Sequence, residues 1–329
     1  MQVLAIADDT TGALEVGAKL AGQGVRALVT TRLTDWPDAP ALVVDTQSRQ
    51  LEPAHARERV TAVAMAAREA GVPYLYKKTD STMRGNIASE FEALMDVFPE
   101  RRVVWVPAYP AMGRVVINGE LYVDGMPLGQ TAVAPGAVMV CDGRTDDDLR
   151  AEAAALARDV KPSIAAGAAG FAEFWARALP LERGWVAPRP RVKCCLVLSG
   201  SRHPASMEQI RQGAAAGIAT FYLGEDPVFA SGWVALATPG NCPEGVSERI
   251  GAMARCARDG LVVFGGATAF AALQALGVTV VESCGELLPG IPLSLIRLGG
   301  REVALVTKAG GFGAPDTLLS IRQRLENRP

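Results

Sequence analysis

The sequence predicts an α/β protein of two domains, each a largely parallel sheet flanked by helices, with a ligand site in the cleft between them. Three observations lead to this expectation. Short apolar runs alternate with Ala-rich amphipathic segments, the pattern of repeated β-α units. Ionisable residues recur directly after the apolar runs, where open α/β sheets bind ligands. A stretch rich in Pro and Arg near residues 180–192 interrupts the alternation and reads as a linker, and 329 residues is long for one core.

The first series begins with Val3-Leu4-Ala5-Ile6-Ala7, an unbroken apolar run typical of a strand buried on both faces. Strands are expected at residues 2–7, 26–30, 41–45, 73–77, 102–107 and 137–141, and helices over 12–22, 54–70, 86–97 and 146–159. In the helix at 54–70 only Val60, Val63 and Met65 supply apolar bulk, with Arg57, Glu58, Arg59 and Arg68 facing outward. Asn118-Gly119 is a hairpin turn signal. The second series places strands at 193–198, 219–223, 261–264, 278–281 and 303–307, and helices over 205–216, 245–258, 268–276 and 315–326. The expected domains are residues 1–185 and 186–329.

Composition narrows the function. Thirty-three Lys and Arg against 35 Asp and Glu give a net charge of −2, so no basic field is available to hold a nucleic-acid backbone. The five Trp form no stacking stripe. No apolar stretch reaches the length of a membrane span, and a strand stands where a signal peptide would lie. Six cysteines, at 141, 194, 195, 242, 256 and 284, form no C-x-x-C pair, which fits reduced thiols in a cytoplasmic protein.

The densest chemistry lies in residues 77–86, Lys-Lys-Thr-Asp-Ser-Thr-Met-Arg-Gly-Asn, just after an expected strand. Three cations, a carboxylate, three hydroxyls and an amide suit a small polyhydroxylated anion, since Lys and Arg hold carboxylate or phosphate while Asp and hydroxyls read sugar hydroxyls. A helix cap by Asp80 or Ser81 is the bland alternative. Asp8-Asp9 and Asp45-Thr46 follow two other strands and could line the same crevice, although Asp8 or Asp9 could also cap a helix and Arg49 could pair with Glu52. His55 reads as a solvated helix residue and His203 as a turn residue before Pro204.

In the second half, three glycine turns follow strands: Ser199-Gly200-Ser201-Arg202-His203, Gly265-Gly266-Ala267-Thr268, and Lys308-Ala309-Gly310-Gly311-Phe312-Gly313. Glycine permits close backbone approach and a following helix N-terminus offers amides, so together they suggest a phosphate cradle. There is no G-x-x-x-x-G-K-[ST], and Ala7-Asp8-Asp9-Thr10-Thr11-Gly12 lacks the dinucleotide glycines, which disfavours an NAD-dependent oxidoreductase.

These residues resemble the four-carbon acid sugar kinases over almost the whole chain. The resemblance rests on Ala7-Asp8-Asp9-Thr10-Thr11-Gly12-Ala13, Val44-Asp45-Thr46-Gln47-Ser48-Arg49, the block at 77–86, Pro107-Ala108-Tyr109-Pro110-Ala111-Met112-Gly113-Arg114, Asn118-Gly119, Val123-Asp124-Gly125 and the three glycine turns. Gly167-Ala168-Ala169-Gly170-Phe171-Ala172 looks like the family's small-residue turn closing the first domain. The resemblance implies an ATP-dependent kinase, with Mg2+, acting on threonate, erythronate or 3-oxo-tetronate. Asp8, Arg49, Lys78 and Arg84 would bind the sugar acid, and Asp9 and Asp80 are the candidate catalytic bases. Ser201, Gly265, Gly266, Thr268, Gly310 and Gly311 would face the nucleotide. The partner is then a small molecule, without nucleic acid or membrane, and a homo-oligomer is compatible with the sequence. Two departures stand out: Ala267 replaces the Asp of the family's Gly-Gly-Asp-Thr, and the segment after Leu128 is shortened. They motivate the rival expectation, a sugar-acid or nucleotide-binding protein without transfer activity.

Overall fold

A computed structural model describes residues 1–131, 135, 137–225, 232–238 and 246–327, and these form two compact units, Met1–Val186 and Ala187–Pro329. Cys242, the Ala132-Val133-Ala134 part of the shortened segment, and the start of the helix expected at 245 lie outside the described residues.

The first unit runs β1 (Val3–Ala7), α1 (Thr10–Gly22), β2 (Ala27–Thr30), β3 (Ala41–Asp45), α2 (Pro53–Glu69), β4 (Tyr74–Lys78), α3 (Ile87–Val97), β5 (Arg102–Val106), β6 (Arg114–Ile117), β7 (Glu120–Val123), β8 (Met126–Gln130), β9 (Met139–Val140), α4 (Asp146–Arg158), β10 (Ser163–Gly167) and α5 (Ala169–Ala178). Its main sheet is parallel throughout, in the order β2-β3-β1-β4-β10-β5-β9. Every residue of β1 and β3 is buried, as their continuous apolar runs require. Asn118 and Gly119, both at positive φ, turn β6 into β7, and β8 completes a separate antiparallel sheet. That is the hairpin the Asn-Gly pair predicts.

The second unit runs β11 (Cys195–Ser199), α6 (Pro204–Ala215), β12 (Ala219–Tyr222), β13 (Trp233–Ala237), α7 (Val246–Ala252), β14 (Gly260–Phe264), α8 (Gly266–Ala275), β15 (Val280–Leu288), β16 (Ile291–Leu298), β17 (Arg301–Lys308) and α9 (Thr317–Glu326). Strands β12-β13-β11-β14-β17 are parallel neighbours, and β16 and β15 continue antiparallel from β17. Val197, Val262, Phe264 and Val306 from the sheet pack with Ile210, Leu318, Ile321 and Leu325 from α6 and α9.

Several elements differ from the sequence expectation. The Gly167–Ala172 stretch is not a turn: Gly167 ends β10, and residues 169–178 form α5, because its alanines and Phe171 and Trp175 bury one helix face. The helix expected to 258 shortens to α7 followed by a 3₁₀ turn, Met253–Cys256. Strands β8, β10, β13 and β16 were not expected, and Pro292 inside β16 argues against a strand by local rules.

Gly167 connects this packing to the chemistry described below. A Cβ there would lie 2.2 Å from the carbonyl oxygen of Val106 on the adjacent strand, while the Gly167 carbonyl accepts the Thr79 amide at 2.9 Å. Replacing Gly167 with Ala should cost about 2 kcal/mol, because main chain and not a flexible side chain must move. Thermal unfolding should show a melting point lower by roughly 4–8 °C; an unchanged value would mean the strands can separate freely here.

Candidate active site

Strand register brings three polar loops together. Ala7 at the end of β1 lies opposite Asp45 on β3 and opposite Lys78 on β4. Asp8 and Asp9 leave β1, residues 46–49 leave β3, and residues 79–85 leave β4 from adjacent points.

Arg49 ties the three loops. Its Nε and Nη2 donate to Asp8 Oδ2 and Oδ1 at 2.7 and 3.0 Å, its Nη1 donates to Asp9 Oδ2 at 2.6 Å, and Nη1 stands 3.4 Å from Asp80 Oδ1. The planar fork matches the edge of a carboxylate in a way a lysine could not. The alternative pair with Glu52 is therefore not formed. Asp80 accepts from Arg84 Nε and Nη2, both at 2.8 Å, from Thr82 Oγ1 at 2.6 Å, and from the amides of Thr82 and Arg84. Neither Asp80 nor Ser81 caps α3, whose N-cap is Asn86; the Asn86 amide instead donates to the carbonyls of Ser48 and Leu51. Asp9 does cap α1, accepting the Gly12 amide at 2.9 Å.

Burial and charge set the protonation of these groups. Burial works upward on Asp8, but Arg49, with Lys77 and Lys78 behind it, holds its carboxyl below the ordinary value. Burial and the adjacent Asp8 charge push Asp9 up. In Asp80 the upward pull of burial is overcome by hydrogen bonds from Arg84 and by the Arg49 charge, so it sits well below the usual carboxylate range.

Lys78 is buried, yet makes no ion pair among the described residues; its ammonium donates to the Thr79 carbonyl at 2.7 Å. Gly12 makes room for it, since a Cβ there would lie 2.9 Å from Lys78 Nζ and 2.8 Å from Asp9 Oδ1. Arg84 keeps a largely exposed side chain. One buried ammonium with donor capacity left over and one exposed guanidinium thus stand beside three carboxylates.

A second polar layer, not anticipated from the sequence, supports the first. Lys77 is fully buried and pairs with Glu90 on α3 at 2.9 Å. Glu90 also accepts from Ser48 Oγ, which stands 2.7 Å from Thr46 Oγ1, and Thr46 Oγ1 donates to the Ala7 carbonyl at 2.8 Å. Thr10 and Gln47 together donate to Asp45, whose carboxyl burial pushes up to about 7. A Lys-Lys pair at a strand end was visible in the sequence, but not that one lysine would turn inward to an acid twelve or thirteen residues on.

In the second unit Ser199, Phe264 and Lys308 are register partners at the ends of β11, β14 and β17, so the three glycine turns also emerge side by side. A Cβ on Gly200 would lie 2.1 Å from Thr268 Oγ1, and one on Gly310 would lie 2.5 Å from Ser201 Oγ. Gly265 sits at φ +103 and caps α8, whose first turn contains Gly266, Ala267 and Thr268. Ser201, Gly265, Gly266, Thr268, Gly310 and Gly311 accordingly form one cluster, with Ala267 exposed beside it. His203 caps α6 through Nδ1, which accepts the Ala205 amide at 3.2 Å. His55 is exposed. Among the described residues no group of three or more His, Cys, Asp or Glu is placed to hold a metal, and no helix is long and apolar enough to cross a membrane.

Comparison with known proteins adds an independent finding. A family model described as a sugar-binding N-terminal domain matches residues 3–139, and one described as a nucleotide-binding C-terminal domain matches residues 236–318. The chain is 28% identical to a D-threonate kinase of Bordetella bronchiseptica, over 98% of this chain and 97% of that one. It is 27% identical to a 3-oxo-tetronate kinase of Cupriavidus necator, over 94% of each chain. These alignments run over 409 and 413 residues against 329 here, so both relatives carry segments that this chain lacks. A solved Bordetella bronchiseptica structure, described as a domain of unknown function with bound citrate in a domain-swapped dimer, is 26% identical over 100% of this chain and 99% of that one, with a TM-score of 0.51.

Replacing Arg49 with Ala should strand buried carboxylates and cost about 3 kcal/mol at pH 7. Without the guanidinium, Asp8 and Asp9 would titrate higher in the folded than in the unfolded chain, while Asp80 keeps its bonds from Arg84 and Thr82. The folded variant then binds the extra protons, so its deficit should shrink as pH falls from 7 towards 5. Urea unfolding at both pH values checks this; a deficit that grows on acidification would place the stabilising charge elsewhere.

Proposed function

We propose that this chain, which belongs to the four-carbon acid sugar kinase family, is an ATP-dependent kinase that phosphorylates a hydroxyl of a small sugar acid such as threonate, erythronate or 3-oxo-tetronate. Residues 1–186 take the acid and residues 187–329 take the nucleotide. The observation that carries the acid site is buried Lys78, an ammonium with no carboxylate partner among the described residues, next to Arg84, whose largely exposed guanidinium is bonded to Asp80 through Nε and Nη2 only. Both cations suit a ligand carboxylate, and Asp8, Asp9 and Asp80 beside them suit its hydroxyls. The citrate in the solved relative, itself a hydroxylated carboxylic acid, supports the same ligand class, and its dimer supports a homo-oligomer here.

The two candidate bases separate by environment. Asp9 is pushed up, which moves a carboxylate towards the range useful for accepting a proton from the acceptor hydroxyl. Asp80 is held down and saturated by Arg84 and Thr82, so it acts by aligning Arg84 and Arg49. Arg49 stays with Asp8 and Asp9 and fixes their orientation, leaving Lys78 and Arg84 to neutralise the acid or the migrating phosphoryl group.

The glycine cluster fits a nucleotide phosphate chain. Its close approaches leave no space for side chains, and the first amides of α8, at Gly266 and Ala267, have no partner within the helix. When bound, Mg2+ would neutralise phosphate charge, resting largely on phosphate oxygens and water, since Ala267 supplies no carboxylate. That substitution, together with the missing segments, favours one rival: a binding protein for the acid without transfer.

Calorimetric titration separates the two. A kinase should bind both ATP-Mg2+ and at least one tetronate, and should convert ATP to ADP only when the acid is present; binding of the acid without ATP would identify the rival. Asp9→Asn, which can still cap α1, should lower kcat at least 100-fold with little change in melting point. Retained turnover in that variant would remove Asp9 from the proton-accepting role.

A further inference from the structure

Lys308 ends β17 almost wholly buried, and no carboxylate pairs with it among the described residues. Its ammonium lies 2.9 Å from the Ala309 carbonyl, 3.0 Å from those of Gly310 and Phe312, and 3.2 Å from Ser206 Oγ. It also stands 4.6 Å from the centre of the Phe264 ring. An unpaired buried ammonium is costly, and here only neutral groups hold it.

The geometry of the peptide gives this arrangement a consequence. In a trans peptide the carbonyl and the following amide point in opposite directions. Three carbonyls aimed at one cation therefore turn the amides of Gly310, Gly311 and Gly313 away from it. None of these three amides has a hydrogen-bond acceptor among the described residues. Outward amides with a positive charge behind them form an anion-accepting concavity. We infer that Lys308 is a positioning residue of the nucleotide site, folding the 309–313 turn so that its amides meet phosphate and supplying the positive field beneath it. The inference rests on the glycine cluster being that nucleotide site.

Neutral donors already hold the same turn. Ser206 Oγ donates to the Gly310 carbonyl at 2.7 Å, and Gln209 Nε2 donates to the carbonyls of Phe312, Gly313 and Ala314 at 3.0, 3.2 and 2.9 Å. The distinct contribution of Lys308 is its charge. Burial pulls its pKa down to about 8, so an arriving phosphate should draw a proton onto it near that pH. Among the described residues, the groups facing it from α6, β14 and the turn are Ser206, Phe264 and main-chain carbonyls, and an ionisable side chain nearby is His203, beside Gly311.

The test compares ATP, ADP, AMP and adenosine binding to the wild type and to Lys308→Met, a neutral side chain of similar length. Affinity for ATP should fall about 30-fold or more, with smaller losses for ADP and AMP and none for adenosine, because a charge acts in proportion to phosphate charge. Tetronate affinity should be unchanged. Equal losses for all four ligands, or no loss for ATP, would overturn the inference. Should the variant not fold, Lys308→Gln, which keeps a donor and loses the charge, takes its place in the same four-ligand comparison, where equal losses for all four or no loss for ATP overturn the inference equally. A wild type that binds no ATP at all instead overturns the nucleotide function on which the inference stands.

Discussion

The guanidinium of Arg49 is the constraint from which the candidate acid site follows. One planar cation receives both oxygens of Asp8 and one of Asp9, and lies near Asp80, so the loops after three neighbouring strands are fixed to a single point. Without it, three buried or half-buried carboxylates would face one another across a few ångströms. With it, Asp8 is stabilised in its charged form, Asp9 is left poised higher, and Lys78 is free of any obligation to the acids around it. The stability of this cluster and the function proposed for it rest on one electrostatic arrangement.

That arrangement depends on the layer below. The buried Lys77–Glu90 pair and the Ser48–Thr46–Ala7 relay anchor the loop that presents Arg49 to the sheet and to α3. A buried ion pair contributes little net stability when compared with apolar packing, but it specifies one geometry. The Asn86 amide bonded to Ser48 and Leu51 carbonyls closes the same loop from its other side. Consecutive lysines at a strand end thus have opposite fates, because side chains alternate across a strand: Lys77 turns towards α3 and Lys78 towards Asp9 and Gly12.

The two proposed sites would meet anions by different physics. In the first, side-chain charges would do so, offset against nearby carboxylates. In the second, main-chain amides would do so, at glycine turns after parallel strands β11, β14 and β17, with Lys308 as the buried charge beneath. Both depend on parallel register, which places successive strand ends side by side and lets residues far apart in sequence converge. Side chains can select an acid by shape and hydroxyl pattern. Amides suit phosphates, whose recognition is the same whatever the sugar acid.

Much was legible in the sequence. The alternation of apolar runs and amphipathic segments pointed to two α/β units, since a continuous Val-Leu-Ala run suits a strand covered on both faces. The Asn118-Gly119 turn was determined locally by its need for positive φ. Polar residues after strands marked Asp8, Asp9, Asp45, Lys78 and Asp80, because polar groups are costly inside a core, whereas Arg49 was marked by the family resemblance alone. Strand β16 and helix α5 were not legible: Pro292 contradicts a strand and small residues around Gly167 mimic a turn, and long-range pairing and burial outweigh these local preferences. Which partner each charge takes was decided by tertiary structure alone. Arg49 could have bonded Glu52, and Lys77 or Lys78 could equally have faced Glu90; the strand register and the pleat chose, because an ion pair's energy depends on ångström-scale geometry that sequence spacing does not encode.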